Sequence, residues 1–317
     1  MKKIINKIQL LVVLLAAFMF VQCESEDANS IYIPPVGTDL THPNDLYLYS
    51  NVGKSLFEIY GTAVRWRWND NFIDPSQRAA PIDADFVIPT TELIEYLWIG
   101  PYASVGKPGI DFLNELFPSE LQYMGSYIFQ EDGTRILGFA EGGARISLLN
   151  LNNYDLKSRD WLTNAGGGVL ATVHHEFSHI VHQNYGIPVG FNTISESYLG
   201  AGWSNGVTQE DAVKLGMTRN YGTLNEFEDF CEIISHFLVM PKADFEEQFI
   251  TQQDCSELTT AAEISNCQDL NEGRVLIKRK LELVIEFYKN TFDMDLVQVR
   301  DTLESRLNYV IANNKIP

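Results

Sequence analysis

The rhythm of apolar and polar positions changes several times along the chain. Leu10 to Val21 is an apolar run of about a dozen residues behind Lys2, Lys3 and Lys7, too short to span a bilayer and shaped like the core of a signal peptide. Residues 24–43 are polar and carry Pro34, Pro35 and Pro43, as a tether does. From about Asp45 the pattern becomes globular. Gly61 to Trp68 alternates with period two and predicts a strand, and Ile110 to Phe117 predicts a short helix. Two β-prone runs flank Asp132-Gly133, which predicts a hairpin, and Ala144 to Asn150 predicts a further strand. The second half turns to helical spacing, over 166–184, 208–219, 223–240, 272–292 and 295–313. A small mixed sheet followed by a helical half gives an α+β class, with one main domain over 45–317.

Composition narrows the function. The 317 residues are 45% apolar and 12% aromatic, enough for a core, and only 21% charged. The net charge of −19 repels phosphate backbones, so no nucleic-acid partner is expected. Of four cysteines, Cys23 directly follows the apolar run. That placement resembles a bacterial lipoprotein signal, and the acidic stretch CESEDANS resembles the surface-export signal of Bacteroidetes lipoproteins. The resemblance implies a signal peptide over 1–22, lipid on Cys23, a tether over 23–44, and a lipid-anchored outer-membrane protein exposed at the cell surface. Export permits disulfides, so Cys255 and Cys267 can close a short loop, whereas Cys231 falls in a helical pattern and reads as a buried apolar residue.

Four of the six histidines crowd into ATVHHEFSHIVHQ, residues 171–183. On a helix His175 and His179 lie about 40° apart on one face, so both imidazoles can reach one metal ion. Glu176 sits beside them, able to touch a metal-bound water without being a ligand. This is the HExxH zinc pattern. Thr163 or Asn164 can cap the helix, and Asn184-Tyr185-Gly186 with Pro188 can end it. Leu170, Val173, Phe177, Ile180 and Val181 form an apolar seam opposite the two ligands. His174 falls near the seam and reads as a core histidine. His182 shares the metal face but lies about 10 Å along the axis from His175, so one ion cannot take both. It reads as a group in the cleft behind a ligand, or as merely exposed.

A catalytic zinc takes three protein ligands. The metzincin pattern would place a histidine where Tyr185 stands, so an acid is expected downstream. In YGTLNEFEDFCEIISHFL, from Tyr221, the apolar residues Phe227, Phe230, Ile233, Ile234, Phe237 and Leu238 cover one side of a helix. Glu228 and Glu232 stand on the other side, one turn apart. One can bind zinc while the other accepts the free N–H of a ligating histidine. Asp229 and Glu226 point elsewhere, and Glu196 is the rival ligand.

HEFSH followed by EFEDFCE resembles the glutamate-zincins, and in particular the zinc-binding metallopeptidase family of Bacteroidetes surface lipoproteins. The two motif helices also resemble the catalytic domain of anthrax lethal factor. The resemblance implies a zincin-like fold with Glu228 as zinc ligand, Glu232 behind a ligand, and Tyr221 stabilising the transition state. Gly222 can break the helix between Tyr221 and Glu228. The resemblance also places the stretch near Ala144 to Asn150 at the sheet edge, paired with extended substrate. The function expected is zinc-dependent hydrolysis of peptide or protein substrates, with Glu176 as general base. The alternative is a surface lipoprotein that binds glycan or peptide for an outer-membrane transporter. A structural zinc site would need a fourth protein ligand, often cysteine, and no such cluster exists here.

Overall fold

In the computed structural model the described residues are 35–50, 54–133, 135–136, 140–141, 144–195 and 198–317. The segments read as signal peptide, lipidated Cys23 and most of the tether lie outside them, as does Glu196. Two units are distinguished, Met1–Thr38 and Asp39–Pro317. Of the first, only a turn is described, in which Thr38 bonds to the Pro35 carbonyl. Everything below concerns the second.

Its strands are β1 (Ala63–Arg65), β2 (Glu120–Tyr123), β3 (Ile128–Phe129), β4 (Arg135–Ile136), β5 (Ala140–Glu141) and β6 (Arg145–Leu148). The main sheet has the order β1-β2-β6-β5, with β1, β2 and β6 parallel and β5 antiparallel to β6. Residues of both faces are buried in its middle, Leu121 with Gln122 and Ile146 with Ser147. The polar pair there is joined, with Ser147 Oγ donating to Gln122 Oε1 at 3.0 Å, while the Gln122 Nε2 stays buried without a hydrogen-bond partner among the described residues. The expected hairpin forms from β3 and β4, with Phe129 opposite Arg135 and Gly133 at a φ of 83° in the turn. The placement of Ala144 to Asn150 at the sheet edge is corrected. β6 lies inside, between β2 and β5, and the edge belongs to the two-residue β5.

The helices are α1 (Pro43–Ser50), α2 (Leu56–Tyr60), α3 (Val87–Ile94), α4 (Gly100–Ala103), α5 (Lys107–Leu116), α6 (Arg159–Thr163), α7 (Val169–Tyr185), α8 (Gln209–Lys214), α9 (Glu226–Val239), α10 (Lys242–Phe249), α11 (Ala261–Phe292) and α12 (Leu296–Asn313). A π-helical stretch, Glu95–Ile99, joins α3 to α4. The architecture is α+β, as the spacing predicts. The seam of α7 is buried as expected, with Leu170, Val173, Phe177, Ile180 and Val181 each at 1% exposure or less. Phe177 meets Trp98, Tyr102 and Phe112 edge to face at 5.3–5.9 Å. Burial of one such side chain contributes on the order of 1.5–3 kcal/mol, so the seam fixes which face of α7 is left for chemistry.

The start of α7 departs from the capping expectation. Thr163 ends the separate helix α6, which Ser158 caps, and α7 begins after Gly168 without a side-chain cap. Asn164 closes the link instead, with its carbonyl accepting from the N–H of Gly168 at 2.6 Å. α9 packs along α7, and Ser235 Oγ donates to the Ala171 carbonyl at 2.8 Å between them. From behind, α11 is tied to α9 by buried Lys280, whose Nζ lies 2.5 Å from Asp229 Oδ2 and 2.8 Å from the Gly216 carbonyl. Cys255 and Cys267 are bonded, and Cys231 is a buried free thiol. Among the described residues no helix is long and apolar enough to cross a membrane.

Candidate metal centre

The apolar seam turns His175, Glu176 and His179 away from the core and into a cleft of about 610 Å³. α9 supplies the facing wall. Asn225 caps that helix, accepting from the N–H groups of Phe227 at 2.9 Å and Glu228 at 3.0 Å. Glu228 is thereby held in the first turn, where the helix dipole favours a carboxylate. The 3-10 turn Asn220–Thr223 precedes it and carries Tyr221 into the same cleft. Gly222 therefore lies in a tight turn ahead of α9, and the tyrosine reaches the site from outside the helix. The remaining walls are the β3–β4 hairpin, through Gln130, Arg135 and Ile136, and Trp203, whose ring meets Tyr221 edge-on at 4.8 Å.

Three donor atoms converge. His175 Nε2 lies 3.2 Å from His179 Nε2 and 3.2 Å from Glu228 Oε2, and His179 Nε2 lies 3.3 Å from the same oxygen. Ligand atoms about 2.0–2.1 Å from a tetrahedral zinc would be roughly 3.3–3.4 Å apart, so the triangle has the right size. Glu228 Oε2 is also buried without a hydrogen-bond partner among the described residues, although both imidazole nitrogens are near. An acceptor buried in that way is explained by a cation at the centre of the triangle. Two imidazoles and one carboxylate, with open cleft beyond, form a donor set suited to a catalytic zinc.

The groups behind the ligands are ordered by Glu232. Its Oε1 accepts from Arg219 Nη1 at 3.0 Å and faces His175 Nδ1 at 3.5 Å. Its Oε2 lies 3.4 Å from His236 Nδ1. Behind the other ligand, His179 Nδ1 lies 2.9 Å from His182 Nε2. His182 stacks in turn on Phe227 at 4.8 Å. Phe227 is thus a correction to the sequence reading. It is 42% exposed and supports the cleft, while the rest of the apolar side of α9 is buried. His179, His182 and Cys231 also lie close enough to suggest a metal group. The 2.9 Å separation of the two imidazole nitrogens is that of a hydrogen bond, and shorter than two ligands of one ion would show.

A family model described as "Putative zinc-binding metallo-peptidase" matches residues 41–297. The chain belongs to that family. The chain is also similar to a "putative zinc-binding metallo-peptidase" from Bacteroides caccae, known from a crystal structure. That similarity covers 85% of this chain and 92% of that chain, with a TM-score of 0.62 and 24% identity, and it shows a common fold. No curated protein matches the chain.

Charge in this member of the family is concentrated at the three converging atoms. Burial works against a charged His175, but Glu228, Glu232 and Glu176 outweigh it and raise its pKa to about 9. Burial likewise works against an ionised Glu228, and its two imidazole partners bring it down to about 2. Glu176 is 7% exposed, and burial raises its pKa despite His175 and His179. Burial and the nearby carboxylates raise the Tyr221 phenol well above its ordinary value, which keeps it a proton donor. His174 lies in the core as expected, where burial pushes its pKa down to about 3. Sequence reasoning brought together His175, Glu176, His179, Tyr221, Glu228 and Glu232. It missed Arg219, whose pairing with Glu232 spans 13 residues through a turn and leaves no periodic signal.

Proposed function

We propose that the chain is a glutamate-zincin peptidase that hydrolyses peptide bonds, with His175, His179 and Glu228 holding one zinc ion. The observation that carries this reading is the triangle of donor atoms with Glu176 beside it in one cleft. A bound zinc would acidify a water and polarise the scissile carbonyl. Glu176 takes the proton of the attacking water and returns it to the leaving amine, and its raised pKa suits it to both transfers. Tyr221, protonated and on the same cleft wall, donates to the developing oxyanion. Glu232 orients His175 and is itself held by Arg219.

The N-terminal sequence supports a location for this activity. The Lys-rich start, the apolar run, Cys23 and the acidic stretch behind it fit a lipid-anchored outer-membrane protein exposed at the cell surface. Its substrates would then be peptides or proteins met outside the cell, with a neighbouring outer-membrane transporter as a candidate partner for the products. Intact mass of the mature protein should show lipid on Cys23.

The test of the peptidase reading is cleavage profiling of a mixed peptide library with zinc-loaded protein, with zinc measured on the same sample. Cleavage that disappears with chelator and returns with zinc supports the reading. A protein that holds zinc and cleaves nothing in a broad library would be the binding lipoprotein instead.

A further inference from the structure

A second cavity, of about 370 Å³, shares the wall residues Ala165, Ala171, Arg219 and Ser235 with the metal cleft. Ala171 stands one helical turn before His175 on α7, and Ser235 stands one turn after Glu232 on α9. One turn is about 5.4 Å, and one residue of an extended peptide advances about 3.3 Å. The side chain next to a scissile bond laid across the metal cleft therefore comes within reach of this cavity. We propose that the cavity receives that side chain and selects a neutral residue with an apolar body, against lysine and arginine. The proposal rests on the peptidase reading and names the substrate class for the same site.

The lining argues for such an occupant. Its buried apolar part is made by Ala171, Val239 and Phe249, so an apolar body is favoured there by every methylene it hides from water. Two buried polar side chains line it, Ser235, whose Oγ already donates to the Ala171 carbonyl, and His236, 6% exposed. The His236 Nδ1–H donates to the Glu232 carbonyl at 2.7 Å, which leaves its Nε2 as an acceptor, with no hydrogen bond of its own among the described residues. A tyrosine hydroxyl or a glutamine amide can donate there. No carboxylate lines the cavity, in a chain with 42 acidic residues. Its one full charge is Arg219, already paired with Glu232. A substrate ammonium or guanidinium would enter without a counter-ion and would meet Arg219, which is an expensive burial.

The test uses zinc-loaded protein and the variant Gln248→Glu. Gln248 is exposed at the cavity rim and takes no part in the metal centre, so the variant should fold and hold zinc like wild type. In a mixed peptide library, one position flanking the cut should favour residues such as Leu, Met, Phe, Tyr and Gln, with Lys and Arg depleted about tenfold or more. Gln248→Glu should recover basic residues there by about the same factor. Binding is read separately, as the calorimetric affinity of tyrosine and lysine hydroxamates for the zinc-loaded protein. Tyrosine should bind about tenfold tighter, with the gap narrowed in the variant. Cleavage indifferent to that position, or a preference for Lys or Arg in wild type, overturns the cavity assignment and leaves the peptidase reading standing. If nothing is cleaved, the peptidase reading falls, and the hydroxamates decide the cavity: equal binding overturns it.

Discussion

His182 Nε2 lies 2.9 Å from His179 Nδ1. When His179 uses Nε2 for a metal, its Nδ1 must carry the proton, so His182 must accept it. The partner that fixes this ligand's ring is thus an imidazole, where a carboxylate or a carbonyl is usual. Phe227 holds the accepting ring by stacking on it. His182→Ala should therefore weaken zinc binding by roughly 10–100-fold, the usual cost of removing such a partner. His182→Gln keeps an acceptor and should restore part of the loss. Competition with a chromophoric chelator measures both. Equal zinc affinity in His182→Ala and wild type would make His182 a bystander.

With His175 as the proposed ligand, zinc and a proton would compete for its ring. Its pKa in the metal-free protein, about 9, stands above its ordinary 6.5, so this group stabilises the fold fully below pH 6.5 and loses that effect as pH rises through 9. Glu228, at about 2 against an ordinary 4.5, contributes above 4.5 and loses its contribution as pH falls through 2. The metal-free pair is therefore fully in place between about pH 4.5 and 6.5. Zinc must displace the His175 proton, so its apparent affinity should rise about tenfold per pH unit from 6.5 towards 9 and flatten beyond. The melting-temperature gain on adding zinc should grow over the same range. A gain independent of pH there would show that no ligand proton is released. His179→Ala should carry no zinc by elemental analysis at any of these pH values.

The metal face was legible because periodicity reports faces. Five apolar residues at spacings of three and four fix the inner side of α7, and the same wheel places His175 and His179 outside. Glu228 and Glu232 follow from one further wheel, and the hairpin from Asp132-Gly133. What periodicity does not report is where chain segments meet. The edge strand β5 has two residues, too few for an alternating pattern. Val87–Ile94 carries Pro89 and several β-branched residues, so it does not read as the helix it forms. α11 begins at Ala261, well ahead of the expected 272. The cause is a capping box of Thr260 and Glu263 in front of polar turns, where no apolar stripe announces a helix.

The Cys255–Cys267 bond closes a loop with a sequence separation of 12 and anchors the segment before α11 to its first turns. By chain-entropy reasoning a loop of that size is worth about 3 kcal/mol. Neither cysteine lines the metal cleft. Cys255→Ala with Cys267→Ala should lower the melting temperature by several degrees while zinc content and kcat stay as in wild type. A fall in zinc content would mean that this region is coupled to the site by contacts not visible in the fold.

Glu176 and Glu232 are both buried carboxylates beside His175, yet their substitution should separate chemistry from metal binding. Glu176 lines the cleft next to the donor triangle but contributes no atom to it, so Glu176→Gln removes only the proton carrier. Peptide hydrolysis should fall by roughly 10²–10⁴-fold, the worth of a positioned general base, with zinc content and melting temperature nearly unchanged. Glu232→Gln instead loosens three neighbours at once, Arg219, His175 and His236. It should cost about 10–100-fold in zinc affinity or activity and should lower thermal stability, because Arg219 keeps its charge and loses its partner. Glu228→Gln removes a ligand charge and should weaken zinc more than Glu232→Gln does. Hydrolysis, zinc content and melting temperature, read on the same four proteins, decide the roles. If Glu176→Gln cleaves as wild type does, Glu176 is not the base. If Glu176→Gln loses zinc as Glu228→Gln does, the carboxylate that holds the metal has been misassigned.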